Sequence, residues 1–377
     1  MKKLGILGGG QLGKMLCLAA ADWDIETYVL DKSNDFPAAH FCHHFIEGDF
    51  NNFDDVYSFG KKVDVLTIEI EHINIEALEK LETEGLTIHP SPKALKIIKD
   101  KGLQKQFFEK QELPSTKTSY FEDENALLLA IEAKEISLPF VQKSRTGGYD
   151  GNGVLVVKTK TDLTKLLRGA CIVEPLVDIQ KEIAVIAVRN EAGEVKCFSA
   201  VAMEFSETAN LVELLYCPTG LSALVEIEAE IIATTLIEAF DICGILAVEF
   251  FLTTDNQLLI NEVAPRPHNS GHHTIDTCTT SQFQQHIRGV MNLPLGSTKD
   301  ISPSAMINLL GEDGYVGNVK YEGFEETLAM EDVFIHLYGK TTTKPMRKMG
   351  HVTVLDKDIA SVIEKAMKVK AMLKVKA

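Results

Sequence analysis

The chain has 377 residues, 45% of them hydrophobic, with a formal net charge of −16 at pH 7 and a pI near 5.2. That length exceeds what a single hydrophobic core fills, so two or three domains are expected. The acidic balance argues against nucleic acid and anionic membrane as partners, since both carry charge of the same sign. No run reaches the roughly 18 apolar residues of a membrane span. The seven cysteines, odd in number and without a C-x-x-C pair, point to reduced thiols and a cytoplasmic location.

In chain order, an apolar run at 4–7 ends in Gly8-Gly9-Gly10, a helical pattern follows over 11–21, and a second apolar run at 27–30 closes on Asp31. This is a β-α-β signature. The two leading lysines resemble a secretory start, but glycines and Lys14 interrupt the apolar stretch, so strand, turn and helix fit better. Residues 40–44, with three histidines and Cys42, lack the spacing of a zinc motif. An apolar run at 63–70 and an amphipathic stretch at 75–81 extend a parallel α/β domain to about residue 93.

A lysine-rich helical pattern spans 94–110. Short strands are then predicted at 139–143, 153–157, 171–174, 183–189 and 196–203, followed by a helix over 227–240 and two strands, 244–252 and 257–262, joined by a turn. Further strands are predicted at 305–310, 333–338 and 350–355 before a terminal helix that runs to the end of the chain.

Gly8, Gly10 and Gly13 satisfy G-x-G-x-x-G after a strand and at a helix start, with Asp31 nearly twenty residues on, as in a dinucleotide site. The same loop would suit any phosphate, because its amides lie at a helix N-terminus. Downstream, Lys143 precedes a glycine-rich turn that contains Gly147, Gly148, Gly151 and Gly153, a loop able to close over phosphates. Glu174, followed by Pro175, Leu176 and Val177, ends one strand, and Glu182 lies in the next; a carboxylate there suits ribose hydroxyls and an extended backbone suits an adenine edge. Glu249 lies within an apolar strand and Asn261-Glu262 closes another. Carboxylates in such strands need a cation, and neighbouring antiparallel strands can pair them as magnesium ligands. Arg266, His268 and Asn269 stand in a proline-stiffened loop rich in donors for anions. Lys340, Arg347, Lys348 and His351 form a basic cluster suited to a phosphate ester.

Four stretches carry a family resemblance: GILGGGQLGKM at the start, RTGGYDGNG in the centre, INEVAPRPHNSGHHT after the acidic strands, and the segment from Tyr338-Gly339-Lys340 to Arg347-Lys348-Met349-Gly350-His351-Val352. Together they resemble the ATP-grasp ligases and, within them, the carboxyaminoimidazole ribonucleotide synthases of purine biosynthesis. The resemblance implies an ATP-grasp fold with a Rossmann-like domain at 1–93, an ATP-grasp domain at 94–300 with its lid at about 115–177, and a small β-rich domain at 301–377.

It also implies residue roles. Lys101, at the start of its helix, and Lys143 would touch ATP phosphates beneath a lid loop of Gly148, Tyr149, Asp150, Gly151, Asn152, Gly153 and Val154. Glu174, Pro175, Leu176 and Val177 would form the adenine hinge, Glu182 would hold the ribose, Asn261 would help bind the nucleotide, and Glu249 and Glu262 would hold Mg2+, or Mn2+ in its place. Arg266, His268 and Asn269 would surround bicarbonate, with Tyr149 and Asp150 closing from above. Gln11, Leu12 and Glu71, with Lys340 and Arg347, would bind aminoimidazole ribonucleotide. Asn152 departs from the arginine or lysine common in the family, and a nucleotide-site histidine often present there is missing between Phe198 and Tyr216. A homodimer that passes its product to the next mutase of the pathway is the implied assembly.

Overall fold

The computed structural model describes residues 2–148, 153–205 and 212–377. The chain opens with β1 (Leu4–Leu7), α1 (Gln11–Ala21), β2 (Thr27–Asp31), β3 (His44–Glu47), α2 (Phe53–Gly60), β4 (Val65–Ile68), α3 (Ile75–Thr83) and β5 (Thr87–Ile88). Its strands pair in parallel in the order β3-β2-β1-β4-β5. β1 and β4 are buried throughout, as strands covered on both faces must be.

The predicted helix over 94–110 is two helices, α4 (Pro92–Ile98) and α5 (Lys101–Lys110). The chain breaks at Asp100, which takes an extended conformation and accepts the amides of Gly102 and Leu103 as an N-cap. A lid sheet follows, ordered β6-β9-β7-β8, from β6 (Ser119–Phe121), β7 (Phe140–Ser144), β8 (Val154–Val157) and β9 (Cys171–Pro175), with α6 (Glu124–Glu132) packed on it.

Next come β10 (Ile179–Arg189), β11 (Val195–Cys197), β12 (Val201–Phe205), β13 (Val212–Cys217), α7 (Ala223–Ala239), β14 (Gly244–Thr253), β15 (Leu258–Ala264), α8 (Thr274–Thr277) and α9 (Gln282–Val290). The single strand predicted over 196–203 is therefore two short ones, β11 and β12. The last part holds β16 (Ser304–Leu310), β17 (Gly317–Asn318), β18 (Lys320–Glu322), α10 (Phe324–Leu328), β19 (Val333–Leu337), β20 (Thr342–Thr343), β21 (Lys348–Leu355), α11 (Ile359–Met372) and β22 (Lys374–Lys376). The predicted terminal helix stops at Met372, and the final lysines form β22 against β18 because Val375 buries itself there. Among the described residues, one sheet runs β15-β14-β10-β12-β13-β16-β21-β19, so the carboxylate-bearing strands and the C-terminal strands are one continuous surface.

Alternation decides which way the acidic side chains face. On β14, Leu246, Val248, Phe250 and Leu252 join the core under α7. Glu249 therefore points to the opposite face. On β10, Ile183, Val185 and Ala187 take the core side, which puts Glu182 on Glu249's face. Among the described residues no helix is long and apolar enough to cross a membrane.

Candidate active site

The break before α5 positions the first cation. Asp100 caps the helix and also holds Arg145, through Nε at 2.9 Å and Nη2 at 2.5 Å. This places Lys101 in the first turn, where its ammonium pairs with Glu262. One turn further, Lys105 lies on the same face. It is buried and contacts Glu174 Oε1 at 2.7 Å, Thr116 Oγ1 at 3.0 Å and the Ile260 carbonyl at 3.3 Å. Lys143 reaches Glu174 Oε2 at 2.8 Å and donates to Asn261 Oδ1 at 3.0 Å.

Glu174 is thus a buried carboxylate shared by two ammoniums. Burial alone would raise its pKa, but Lys143 and Lys105 outweigh burial and hold it at about 2. One carboxylate cannot neutralise two cations, and burial draws Lys105 down to about 8. The side chain of Glu174 is a structural anchor for the lysines; what it and its neighbours can offer an adenine is the extended backbone at the end of β9. Pro175 is exposed, and Leu176 and Val177 are partly buried beyond it.

On β14 and β15 the register pairs Glu249 with Glu262, and the next pair is Phe250 with Ile260. Asn261 is the extra residue of a β-bulge. Such a bulge re-aims side chains: Ile260 and Val263 stay in the core while Asn261 reaches Lys143 and Glu262 reaches Lys101. Glu262 keeps 42% of its side-chain surface open, and Lys101 holds its pKa at about 2. Glu249 is pushed up to about 8 by burial, then by the charges of Glu262 and Glu182. Burial raises Glu182 to about 7, with Lys143 opposing and Glu262 assisting. Hard oxygen donors that repel one another in this way suit a divalent cation, which would relieve both the burial cost and the repulsion.

The loop after β15 faces these carboxylates. His268 Nε2 lies 3.6 Å from Glu249 Oε1. Its Nδ1 sits 3.3 Å from the Ser270 amide and 2.9 Å from the Ser270 hydroxyl. Accepting the amide leaves the proton on Nε2, a tautomer assigned from the bonding. Burial, helped by Arg266, lowers His268 to about 4, so near neutrality it offers an N–H, not a charge. Arg266 Nε contacts Glu71 Oε1 at 2.9 Å. Asn269 forms a reciprocal amide pair with Asn308 on β16, at 2.9 and 3.1 Å, which fixes the loop to the C-terminal strands.

The glycine loop has a different use from either phosphate reading. Gly9 N–H donates to Asp31 Oδ2 at 2.7 Å, and Gly10 and Gly13 donate to Glu69 at 2.9 and 3.1 Å. These amides are occupied by the chain's own carboxylates, whose charge would repel a phosphate. Both expectations for this loop, a dinucleotide pyrophosphate and a monophosphate on its glycine amides, are corrected accordingly. Gln11 is partly buried at the start of α1, and the Leu12 side chain belongs to the core. Lys14 Nζ donates to the Leu337 carbonyl at 2.9 Å, which brings α1 against β19 and the basic cluster. There Lys340 Nζ donates to the Lys348 carbonyl at 2.7 Å, and Arg347 Nη1 contacts Thr342 O and Oγ1 at 2.8 and 2.9 Å.

The structure therefore brings together Lys101, Lys143, Glu174, Glu182, Glu249, Asn261, Glu262, Arg266, His268, Asn269 and Glu71. Gly148, Gly153 and Val154 flank the lid turn; Tyr149, Asp150, Gly151 and Asn152 lie outside the described residues. Sequence reasoning missed Lys105, Thr116, Glu69 and Asn308. Only Lys105 left a local signal, its i,i+4 spacing from Lys101.

A lid sheet beside paired lysines, over two carboxylates on adjacent strands, defines an ATP-dependent ligase of the ATP-grasp class. The chain matches the ATP-grasp domain over residues 106–283, the ribonucleotide synthetase preATP-grasp domain over 1–99 and the phosphoribosylaminoimidazole carboxylase C-terminal domain over 304–365. The crystal structure of N5-carboxyaminoimidazole ribonucleotide synthetase from Thermotoga maritima is 42% identical, with a TM-score of 0.92 over 100% of both chains. The Aspergillus clavatus N5-carboxyaminoimidazole synthase in complex with ADP and 5-aminoimidazole ribonucleotide is 31% identical, with a TM-score of 0.88 over 98% of each chain. The phosphoribosylaminoimidazole carboxylase of Candida albicans is 39% identical over 94% of this chain, which spans 64% of that relative's length. The chain belongs to the N5-carboxyaminoimidazole ribonucleotide synthase family.

Proposed function

We propose that the protein carboxylates the exocyclic amine of aminoimidazole ribonucleotide with bicarbonate, converting ATP to ADP and phosphate and yielding N5-carboxyaminoimidazole ribonucleotide for purine biosynthesis. The observation that carries this reading is the single face on which Lys101, Lys143, Glu249 and Glu262 meet Arg266, His268 and Asn269. It joins a phosphoryl-transfer site to a cradle for a small anion.

A bicarbonate oxygen attacks the γ-phosphorus of ATP; ADP leaves and carboxyphosphate forms. The amine nitrogen then bonds to the carboxyl carbon, directly or after release of carbon dioxide, inorganic phosphate departs, and the amine proton passes to a base, for which Asp150 is the candidate. Lys101 and Lys143 neutralise the transferring phosphoryl group, the main lever in such transfers. Arg266, positioned by Glu71, orients bicarbonate, while the neutral His268 donates Nε2–H and Asn269 is braced by Asn308. Glu249 and Glu262 suit Mg2+, or Mn2+, which when bound would shield the phosphate oxygens. Glu174, Pro175, Leu176 and Val177 supply the nucleotide hinge and Glu182 the ribose contact. Tyr149 and the lid loop from Gly148 to Val154 exclude water from carboxyphosphate.

In the same reading the domains divide at about 93 and 300, and Gln11, Leu12, Glu71, Lys340 and Arg347 take the ribonucleotide, with its phosphate on the C-terminal cations. A homodimer in the cytoplasm that hands its product to a mutase completes the proposal. The test is ADP release with ribonucleotide and bicarbonate withheld in turn. Dependence on both is expected; nucleotide binding without bicarbonate-dependent turnover would make the chain a regulator instead.

A further inference from the structure

Directly after the Arg266–Asn269 loop, three elements bring soft and borderline donors together. His273 precedes α8, Cys278 follows it, and Asp300 lies in the segment leading to β16. One ligand atom from each lies within 4.8 Å of the other two. The backbone fixes two of them opposite each other: Cys278 and Asp300 are paired in an antiparallel bridge, flanked by Ile301 N–H to the Thr277 carbonyl at 2.8 Å and Thr279 N–H to the Lys299 carbonyl at 3.3 Å. Cys278 Sγ lies 3.2 Å from Asp300 Oδ1. In a tetrahedral zinc site a sulfur and an oxygen ligand are about 3.5 Å apart, as bond lengths of about 2.3 and 2.0 Å require. That pair is already at ligand spacing.

A second observation points to a missing partner. His273 is buried, and its Nδ1 has no hydrogen-bond partner among the described residues. A buried imidazole nitrogen left unbonded costs free energy comparable to a lost hydrogen bond. On the other side of Asp300, the buried thiol of Cys217 at the end of β13 lies 3.9 Å from Oδ2. Cys217 and Asp300 also line a cleft of roughly 350 Å³ that opens to solvent, giving an ion an entry path.

We propose that His273, Cys278 and Asp300 form a structural zinc site separate from the magnesium carboxylates, with its fourth position open to solvent from the cleft beside Asp300. One thiolate, one imidazole and one carboxylate favour zinc over magnesium, which takes oxygen. Binding releases the Cys278 thiol proton to solvent as the metal–sulfur bond forms. The ion would tie α8, which follows the His268–Asn269 loop, to the segment entering β16. Its role is to brace that loop from behind.

The test loads the full-length protein with Co2+ in excess Mg2+, which occupies the all-oxygen site. One equivalent should develop a near-ultraviolet thiolate-to-cobalt charge-transfer band, and one equivalent of Zn2+ should abolish it and raise the melting temperature. Cys278→Ser should remove the band and the zinc-induced rise in melting temperature, while Cys217→Ser, outside the ligand set, should leave both in place. Both variants should still make ADP. Absence of a thiolate band in the wild-type protein overturns the site even if a variant fails to fold, because that measurement needs no variant. A full band in Cys278→Ser would overturn it equally.

Discussion

Glu262 illustrates how much of this site rests on single side chains. Its charge is held by Lys101 and is set against Glu249 by the strand register. Glu262→Gln keeps the shape and removes one anionic oxygen donor, so the fold should stay largely intact while ADP formation is abolished. Turnover within a few-fold of wild type, in a protein of unchanged melting temperature, would remove Glu262 from the metal site. Arg347 tests the other substrate. Its guanidinium touches only Thr342 among the contacts described, in a basic cluster of a protein with net charge −16. Losing one charge-assisted contact to a phosphate should cost roughly 1.5–3 kcal/mol, or about ten- to a hundredfold in affinity. Arg347→Ala should therefore raise the ribonucleotide KM by that factor, with kcat and the ATP KM nearly unchanged. A raised ATP KM with unchanged ribonucleotide KM would assign the cluster to the wrong substrate.

Elements were legible in proportion to how local their causes are. The β-α-β start and strands β14 and β15 follow from hydrophobic runs and turn residues. The helix break at Asp100 was hidden, because an N-cap aspartate amid lysines leaves the apolar spacing of a continuous helix intact. The bulge at Asn261 was hidden too, since a bulge is a property of the register between two strands, which neither strand's own residue pattern sets. The glycine loop is the clearest case of a motif that outran its structure. Its amides at Gly9, Gly10 and Gly13 serve Asp31 and Glu69, the latter from the end of the neighbouring strand β4. Isothermal titration with NAD should accordingly show no saturable binding at millimolar concentration. Tight binding would mean that those carboxylates give way and that the loop is a dinucleotide site after all.

Across the whole molecule, His286 on α9 joins the two large sheets. Its Nδ1 accepts the Ile245 amide of β14 at 3.2 Å, so Nε2 carries the proton and donates to Thr67 Oγ1 of β4 at 2.8 Å. Burial, with a small contribution from His89, lowers its pKa to about 3 from the ordinary 6.5. Between those values the unfolded chain binds a proton that the folded chain does not. Its contribution is therefore intact above pH 6.5 and lost as pH falls toward 3. Between pH 7 and pH 5 the loss from this one group is about 2 kcal/mol. Urea unfolding of the wild type and of His286→Leu at both pH values should show the wild type losing about that much more than the variant. A gap between the two proteins that stays constant with pH would mean that His286 is not held neutral.

From the sequence by itself came the α/β start, the main strands, the carboxylates of β14 and β15, Lys143 before its glycine-rich turn, and the Arg266–Asn269 loop. Each is written in residue type and short spacing, which local sterics and hydrophobic periodicity convert directly into structure. What only the tertiary structure decided are pairings between distant segments. Glu174 is shared by Lys105 and Lys143, Glu69 closes the glycine loop, Asn308 braces Asn269, and Asp300 approaches His273 and Cys278. No periodicity encodes such contacts: strand order and register set them, and the burial they create fixes which groups are charged.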